Sequence, residues 1–167
     1  MSKPSTQTPA SLGVINIGLV VQNYEKSHEF YTSIIGMTKI TAPPYMNPLQ
    51  ISKKDSEGAG FAGNQPFKIY FYEMVNATSA TNLKMICFDT PPGEHMPTGI
   101  EKQSGVNYLT FNLDGQGYAA VVRRINKMDY PKLGSLSTDN FQATYIQDPN
   151  GVFLELLGPP APHPPAS

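Results

Sequence analysis

The sequence holds a single cysteine, Cys87. That excludes an intrachain disulfide framework and any metal site assembled from several thiolates. Cys87 lies in the apolar run "LKMICF", where a free cysteine behaves as a small buried hydrophobe. No histidine stands in a recognisable triad arrangement with it, so a catalytic thiol is not expected. Basic runs are also missing. With 12 Lys+Arg against 13 Asp+Glu the net charge is −1, which provides no broad field for nucleic acid or an anionic membrane. No aromatic-plus-arginine platform offsets that. Long apolar runs are absent too. No segment reaches transmembrane length, and the opening "MSKPSTQTPASLG" lacks the apolar stretch of a signal peptide, so a cytoplasmic protein is expected.

What is present is ordinary for a folded domain: 40% hydrophobic residues, with nine Tyr and eight Phe, in 167 residues. That length suits one compact domain or two small modules sharing a core. Residues 1–12 read as a flexible arm, and the "GPPAPHPPAS" that begins at Gly158 leads into a Pro-rich tail over 159–167, neither able to pack a core. Between them the periodicity switches regularly. Val14–Val21 predicts a strand, and "NYEKSHEFYTSII" a helix ending at Gly36. Met37–Ala42, "FKIYFYEMV" (67–75) and "LKMICF" (83–88) predict three further strands. After a linker, 89–104, the order repeats. "VNYLTFNL" is a strand, "QGYAAVVRRINKM" a helix, and "KLGSLS", "FQATYIQ" and "VFLELL" are strands. Two βαβββ modules result, 13–88 and 105–158, the first carrying a Gly-rich polar insertion within 43–66.

Superposing the halves sets Asn16 on Tyr108 and Lys84 on Glu155. Strand alternation then sorts the faces. Ile15, Ile17, Leu19 and Val21 form an apolar face fit to lie under a helix, opposite Asn16, Gly18 and Val20. Leu109 and Phe111 oppose Tyr108, Thr110 and Asn112, and Leu154 and Leu156 oppose Phe153, Glu155 and Leu157. Each half thus has a second face dotted with isolated polar groups. If the sheets join, those faces curve around a shared cleft.

"IGLVVQNYEKSHEFYTSIIGM" resembles the opening of a vicinal oxygen chelate module, the superfamily of glyoxalase I, extradiol dioxygenases, methylmalonyl-CoA epimerase and bleomycin-resistance proteins. "DPNGVFLELLG" is similar to its closing turn and strand, and the resemblance spans residues 13–158. It implies an α+β fold in which two βαβββ modules form an eight-stranded curved mixed sheet around a cleft. It also implies a small-molecule ligand or substrate, and commonly a homodimer.

In metal-dependent relatives one side chain from the first and last strand of each module holds a divalent ion. Carried over, those positions are Asn16, Lys84, Tyr108 and Glu155. Lysine is a cation, asparagine a neutral oxygen donor, and tyrosine a good ligand only when ionised. One carboxylate does not make a transition-metal site. No cofactor is therefore expected, with a divalent metal left as the alternative. Lys84 and Glu155 could instead form a buried ion pair with Tyr108 and Asn16 completing its hydrogen bonds, either as a structural plug or as a working site. The working reading makes Glu155 a base with Lys84 and Tyr108 as electrophilic stabilisers, in isomerase, epimerase or lyase chemistry. Its alternative is a non-catalytic ligand-sequestering protein. Asn16, Tyr70, Tyr72, Thr110 and Phe153 are the candidate ligand-binding residues. The register of "LKMIC" leaves open whether Lys84 or Met85 faces the cleft. Arg123 and Arg124 read as solvated, "GEHMPTG" as a linker or a lid, and "DPNG" as a turn.

Overall fold

The computed structural model describes residues 16–41, 48–58, 65–75, 80–93, 105–106 and 108–161. The chain opens with β1, Asn16–Val20. Val14 and Ile15 lie outside the described residues, as does all but the first residue of "GEHMPTG". Asn23 ends the approach to helix α1, Tyr24–Glu29, by accepting a hydrogen bond from the Lys26 amide at 3.0 Å. The helix continues in wider π-helical turns over Phe30–Ile35, which bury Phe30, Tyr31, Ile34 and Ile35. It stops at Gly36, whose φ of 93° is left-handed and suits glycine.

Strand β2, Thr38–Lys39, is shorter than expected because two segments share one edge. It pairs with Tyr72 and Glu73 of β4, Phe67–Glu73, whereas β3, Leu49–Ile51, pairs with Phe67–Ile69 of the same strand. The polar insertion thus contributes a strand and a short helix, α2, Lys53–Gly58. Strand β5, Asn82–Phe88, completes the first sheet in the order β1-β5-β4-β2. The second module comprises β6 (Tyr108–Asn112), α3 (Gly115–Lys127), β7 (Lys132–Ser137), β8 (Gln142–Gln147) and β9 (Phe153–Gly158), in the order β6-β9-β8-β7. Asp114 caps α3, accepting from the Gly117 amide at 2.7 Å.

The two registers coincide under the repeat. Asn16 lies opposite Asn82 and Gly18 opposite Lys84 in the parallel β1–β5 pair. Tyr108 lies opposite Phe153 and Thr110 opposite Glu155 in the parallel β6–β9 pair. The fold is α+β with two βαβββ modules, and its strands fall into a five-stranded and a four-stranded sheet. The extra strand is β3.

One core joins the modules. Leu19, Leu83 and Met85 bury against the first helix, and Leu109, Leu154 and Leu156 lie with Tyr118, Val121 and Ile125 of α3. Full burial of each such side chain contributes about 1.5–3 kcal/mol. Met85 is therefore a core residue, and alternation turns Lys84 to the opposite face. Cys87 packs beside this core, and burial raises its thiol pKa to about 11, which keeps it protonated at neutral pH.

Polar contacts fasten the modules together. Asp148, fully buried, accepts from Tyr31 Oη at 2.9 Å and from the amides of Asn150 and Val152. Asn150 Nδ2 donates to Ser27 Oγ at 3.0 Å, and its Oδ1 accepts from the Gln22 amide. The "DPNG" turn is thus a latch onto the first helix. Arg124 is not solvated as expected. Its Nε and Nη2 donate to the carbonyls of Ile34 and Ile35 at 2.7 and 2.8 Å, because the second helix crosses the C-terminal end of the first. Arg123 remains exposed. Among the described residues no helix is long and apolar enough to cross a membrane.

Candidate functional site

The site is built on the sheet faces turned away from the two helices. In the second module that face carries Tyr108 and Thr110 from β6, Phe153 and Glu155 from β9, and Tyr145 from β8, which lies opposite Glu155. The carboxylate is the centre of the group. Thr110 Oγ1 donates to Glu155 Oε2 at 2.8 Å, and Tyr145 Oη donates to Oε1 at 3.1 Å. Burial first, then hydrogen bonding and charge from Glu155, push the Tyr108 phenol pKa up to about 12. The Tyr145 phenol is raised by burial and by the same carboxylate.

These shifts carry a sign. The folded chain favours the neutral Tyr108 phenol, so its contribution to stability is complete below the ordinary pKa of about 10. That contribution is lost as pH rises to about 12. Ultraviolet titration, with Tyr108→Phe as the subtracted reference, should place the phenolate step near pH 12 in the native protein. Glu155→Gln should return it toward 10. An unmoved step would show that the carboxylate does not act on this phenol.

In the first module the corresponding face carries Asn16 and Gly18 from β1, Lys84 from β5 and Phe71 from β4. Lys84 Nζ lies over the Phe71 ring, 5.6 Å from its centroid. Asn16 Oδ1 is buried and, among the described residues, accepts no hydrogen bond. The expected ion pair is not formed: Lys84 and Glu155 are not in salt-bridge contact, and Glu155 is held by neutral hydroxyls instead.

Tyr70 and Tyr72 do not line this face. They lie opposite Met85 and Leu83, the two β5 residues buried under the first helix, so alternation sends them to the helix side. There Tyr72 Oη shares a 2.8 Å hydrogen bond with His28 Nδ1, and Tyr70 stacks on Tyr24 with centroids 3.9 Å apart. Phe71 takes the place expected of them. Tyr145 escaped the sequence reading although a signal existed: Tyr145 and Glu155 are equidistant from Asn150, so a hairpin about "DPNG" pairs them.

A cavity of about 480 Å3 opens at the seam between the modules. Met37, Met74 and Leu83 give it apolar walls, and Asn82, Tyr108 and Thr110 give it polar ones. Glu155 itself does not line it, but Thr110, which donates to Glu155, and Tyr108, whose phenol the carboxylate perturbs, both do. A volume of this size suits a small organic ligand.

The solved structures that this architecture matches are consistent in kind. A glyoxalase family protein from Bacillus cereus is 16% identical, with a TM-score of 0.68 over 95% of this chain and 100% of that one. A glyoxalase/dioxygenase from Nostoc punctiforme is 20% identical, with a TM-score of 0.61 over 96% of this chain and 100% of that one. A glyoxylase/bleomycin resistance protein/dioxygenase domain from Frankia sp. EAN1pec is 13% identical, with a TM-score of 0.62 over 88% of this chain and 97% of that one. This is the vicinal oxygen chelate fold. No protein-family model and no curated protein matches the sequence. At these identities the likeness concerns the fold, and vicinal oxygen chelate folds carry many chemistries.

The resemblance implies Asn16, Lys84, Tyr108 and Glu155 as the positions that would hold a divalent ion. Tested against this chain, the donor set is a poor one. Tyr108 stays protonated at neutral pH and Lys84 brings an ammonium group. Glu155 already accepts on both oxygens, and Asn16 supplies one uncharged oxygen. Among the described residues no group of three or more His, Cys, Asp or Glu is placed to hold an ion. These residues do not fit a divalent metal.

Proposed function

We propose that this chain binds a small oxygenated organic molecule in the seam cavity, independently of a metal, with Glu155 as the fixed polar anchor. One observation carries the reading. The carboxylate is oriented by hydroxyls, and Thr110, one of its donors, also lines a mostly apolar cavity of about 480 Å3. Preorganised donors of this kind lower the cost of ordering a site on binding. Phe153 lies opposite Tyr108 on the neighbouring strand.

The experiment has two parts. Elemental analysis of the purified protein should find no stoichiometric Zn, Ni, Fe or Mn; one tightly held ion per chain would overturn metal independence. A fragment panel read by ligand-observed NMR should yield compounds whose affinity falls about tenfold or more with Glu155→Gln, consistent with loss of a charge-assisted contact. Tyr70→Phe should leave them within about twofold, because that ring lies on the helix side.

A second reading is favoured by the phenols of Tyr108 and Tyr145 beside Glu155, a group able to relay a proton. It is metal-independent isomerase, epimerase or lyase chemistry, with Glu155 as base and Lys84 and Tyr108 as stabilisers. Here Glu155→Gln abolishes turnover while ligand affinity survives, the reverse of the binding result.

A further inference from the structure

We infer that the ligand of this cavity is a small, uncharged, peptide-like amide, held edge-on by the backbone of β6 as a short added strand. The inference rests on the binding reading above and names the ligand class. Tyr108, Leu109, Thr110, Phe111 and Asn112 all line the cavity. Side chains of a strand alternate between its two faces, so a cavity on one face meets every second residue. A cavity that meets five residues in succession lies along the edge of the strand.

That edge is open among the described residues. β6 ends its sheet and pairs there with β9 alone. The N–H and C=O of one residue point to the same side of a strand, and those of the next residue to the other side. The Leu113 amide donates to the Leu157 carbonyl of β9 at 2.8 Å, so Leu109 and Phe111 turn theirs to β9 as well. Tyr108, Thr110 and Asn112 therefore present theirs to the opposite edge. These three are also the exposed residues of the strand. A row of exposed edge donors and acceptors is a template for another extended backbone. At about 480 Å3 the cavity admits a short molecule rather than a long partner strand. A ligand residue that exchanges N–H and C=O with Thr110 sets its flanking groups on the face of Leu109 and Phe111. There the buried Met37 and Leu83 give those groups apolar walls. None of the described lining residues carries a charge, which favours a ligand with uncharged ends.

The probe is isovaleryl-L-threonine isobutylamide, whose threonine is to face Thr110 and whose two isobutyl ends suit the apolar walls. Titrated into the full chain at neutral pH and followed by NMR, it should saturate a site at millimolar concentration or below. In the complex, hydrogen exchange of the Thr110 amide should slow about tenfold or more. The Leu109 and Phe111 amides, already bonded to β9, should change by less than about twofold. Methylating the threonine nitrogen of the probe removes the donor aimed at the Thr110 carbonyl and should weaken binding about tenfold. Replacing the isobutylamide with a glycine carboxylate, which adds an unmatched charge, should weaken it about as much. Unchanged exchange at Thr110 in the saturated complex, equal affinity of either analogue, or no binding of the probe at millimolar concentration would overturn the edge-bound amide. The binding reading is judged separately: it falls only if Glu155→Gln leaves the hits of the fragment panel unchanged.

Discussion

Asp148→Ala should destabilise the protein by about 3–5 kcal/mol, the largest effect expected of any single substitution here. The carboxylate is completely buried, and it accepts from the Tyr31 hydroxyl, the Asn150 and Val152 amides and Asn150 Nδ2. Alanine removes the acceptor while the donors stay buried, and each stranded donor costs about 1–3 kcal/mol. For a chain of this size the melting temperature should fall by about 10 °C or more, measured by calorimetry. Asp148→Asn, which keeps the shape and one acceptor oxygen, should lose less. Tyr31→Phe should be milder again. Combined with Asp148→Ala it should cost less than the two separately, because one hydroxyl–carboxylate contact is counted in both. A loss below about 1 kcal/mol for Asp148→Ala would show that the latch between the "DPNG" turn and the first helix contributes little.

Gly36→Ala should cost about 2–4 kcal/mol, from two separable sources. The first is conformational: φ is 93°, and a side chain there is strained by about 1 kcal/mol. The second comes from the other module. A Cβ at Gly36 would stand 2.7 Å from Arg124 Nη2, so the guanidinium must move away from the Ile34 and Ile35 carbonyls that it satisfies. Those carbonyls end a helix and have few other partners. Urea unfolding of Gly36→Ala, Arg124→Ala and the double variant separates the sources. Once Arg124 is gone, Gly36→Ala should cost only about 1 kcal/mol more. Full additivity would mean that the guanidinium accommodates the methyl group without losing its bonds.

Both positions show how far the sequence could be read. Gly36 is legible as a helix stop, since glycine after an apolar helical run is a local signal. Arg124 beside it is not. In "VVRRINK" the two arginines look alike, and only the crossing of the helices buries one against carbonyls 90 residues away. "DPNG" is likewise legible as a turn, whereas the buried role of its aspartate depends on Tyr31 arriving from the first module.

The candidate site divides in the same way. The alternation of β1, β6 and β9 sets Asn16, Tyr108, Thr110 and Glu155 on the face away from the helices, and the structure places them there. Alternation alone left the phase of "LKMIC" open, because both Lys84 and Met85 have apolar neighbours. Packing under the first helix decided for Met85 as core. For Tyr70 and Tyr72 the same pairing with β5 gave the opposite result from that expected.

By itself, then, the sequence determined the repeated βαβββ order, the turns that end its elements and the polar face of three strands. These follow from residue periodicity and turn chemistry, which act over a few neighbours. Only the tertiary structure decided that Lys84 and Glu155 stay apart, that Tyr145 joins the carboxylate, and that the cavity opens at the seam between modules. Such distances depend on the twist of each sheet and the docking of one module on the other, set by the packing of a shared core that no local pattern encodes.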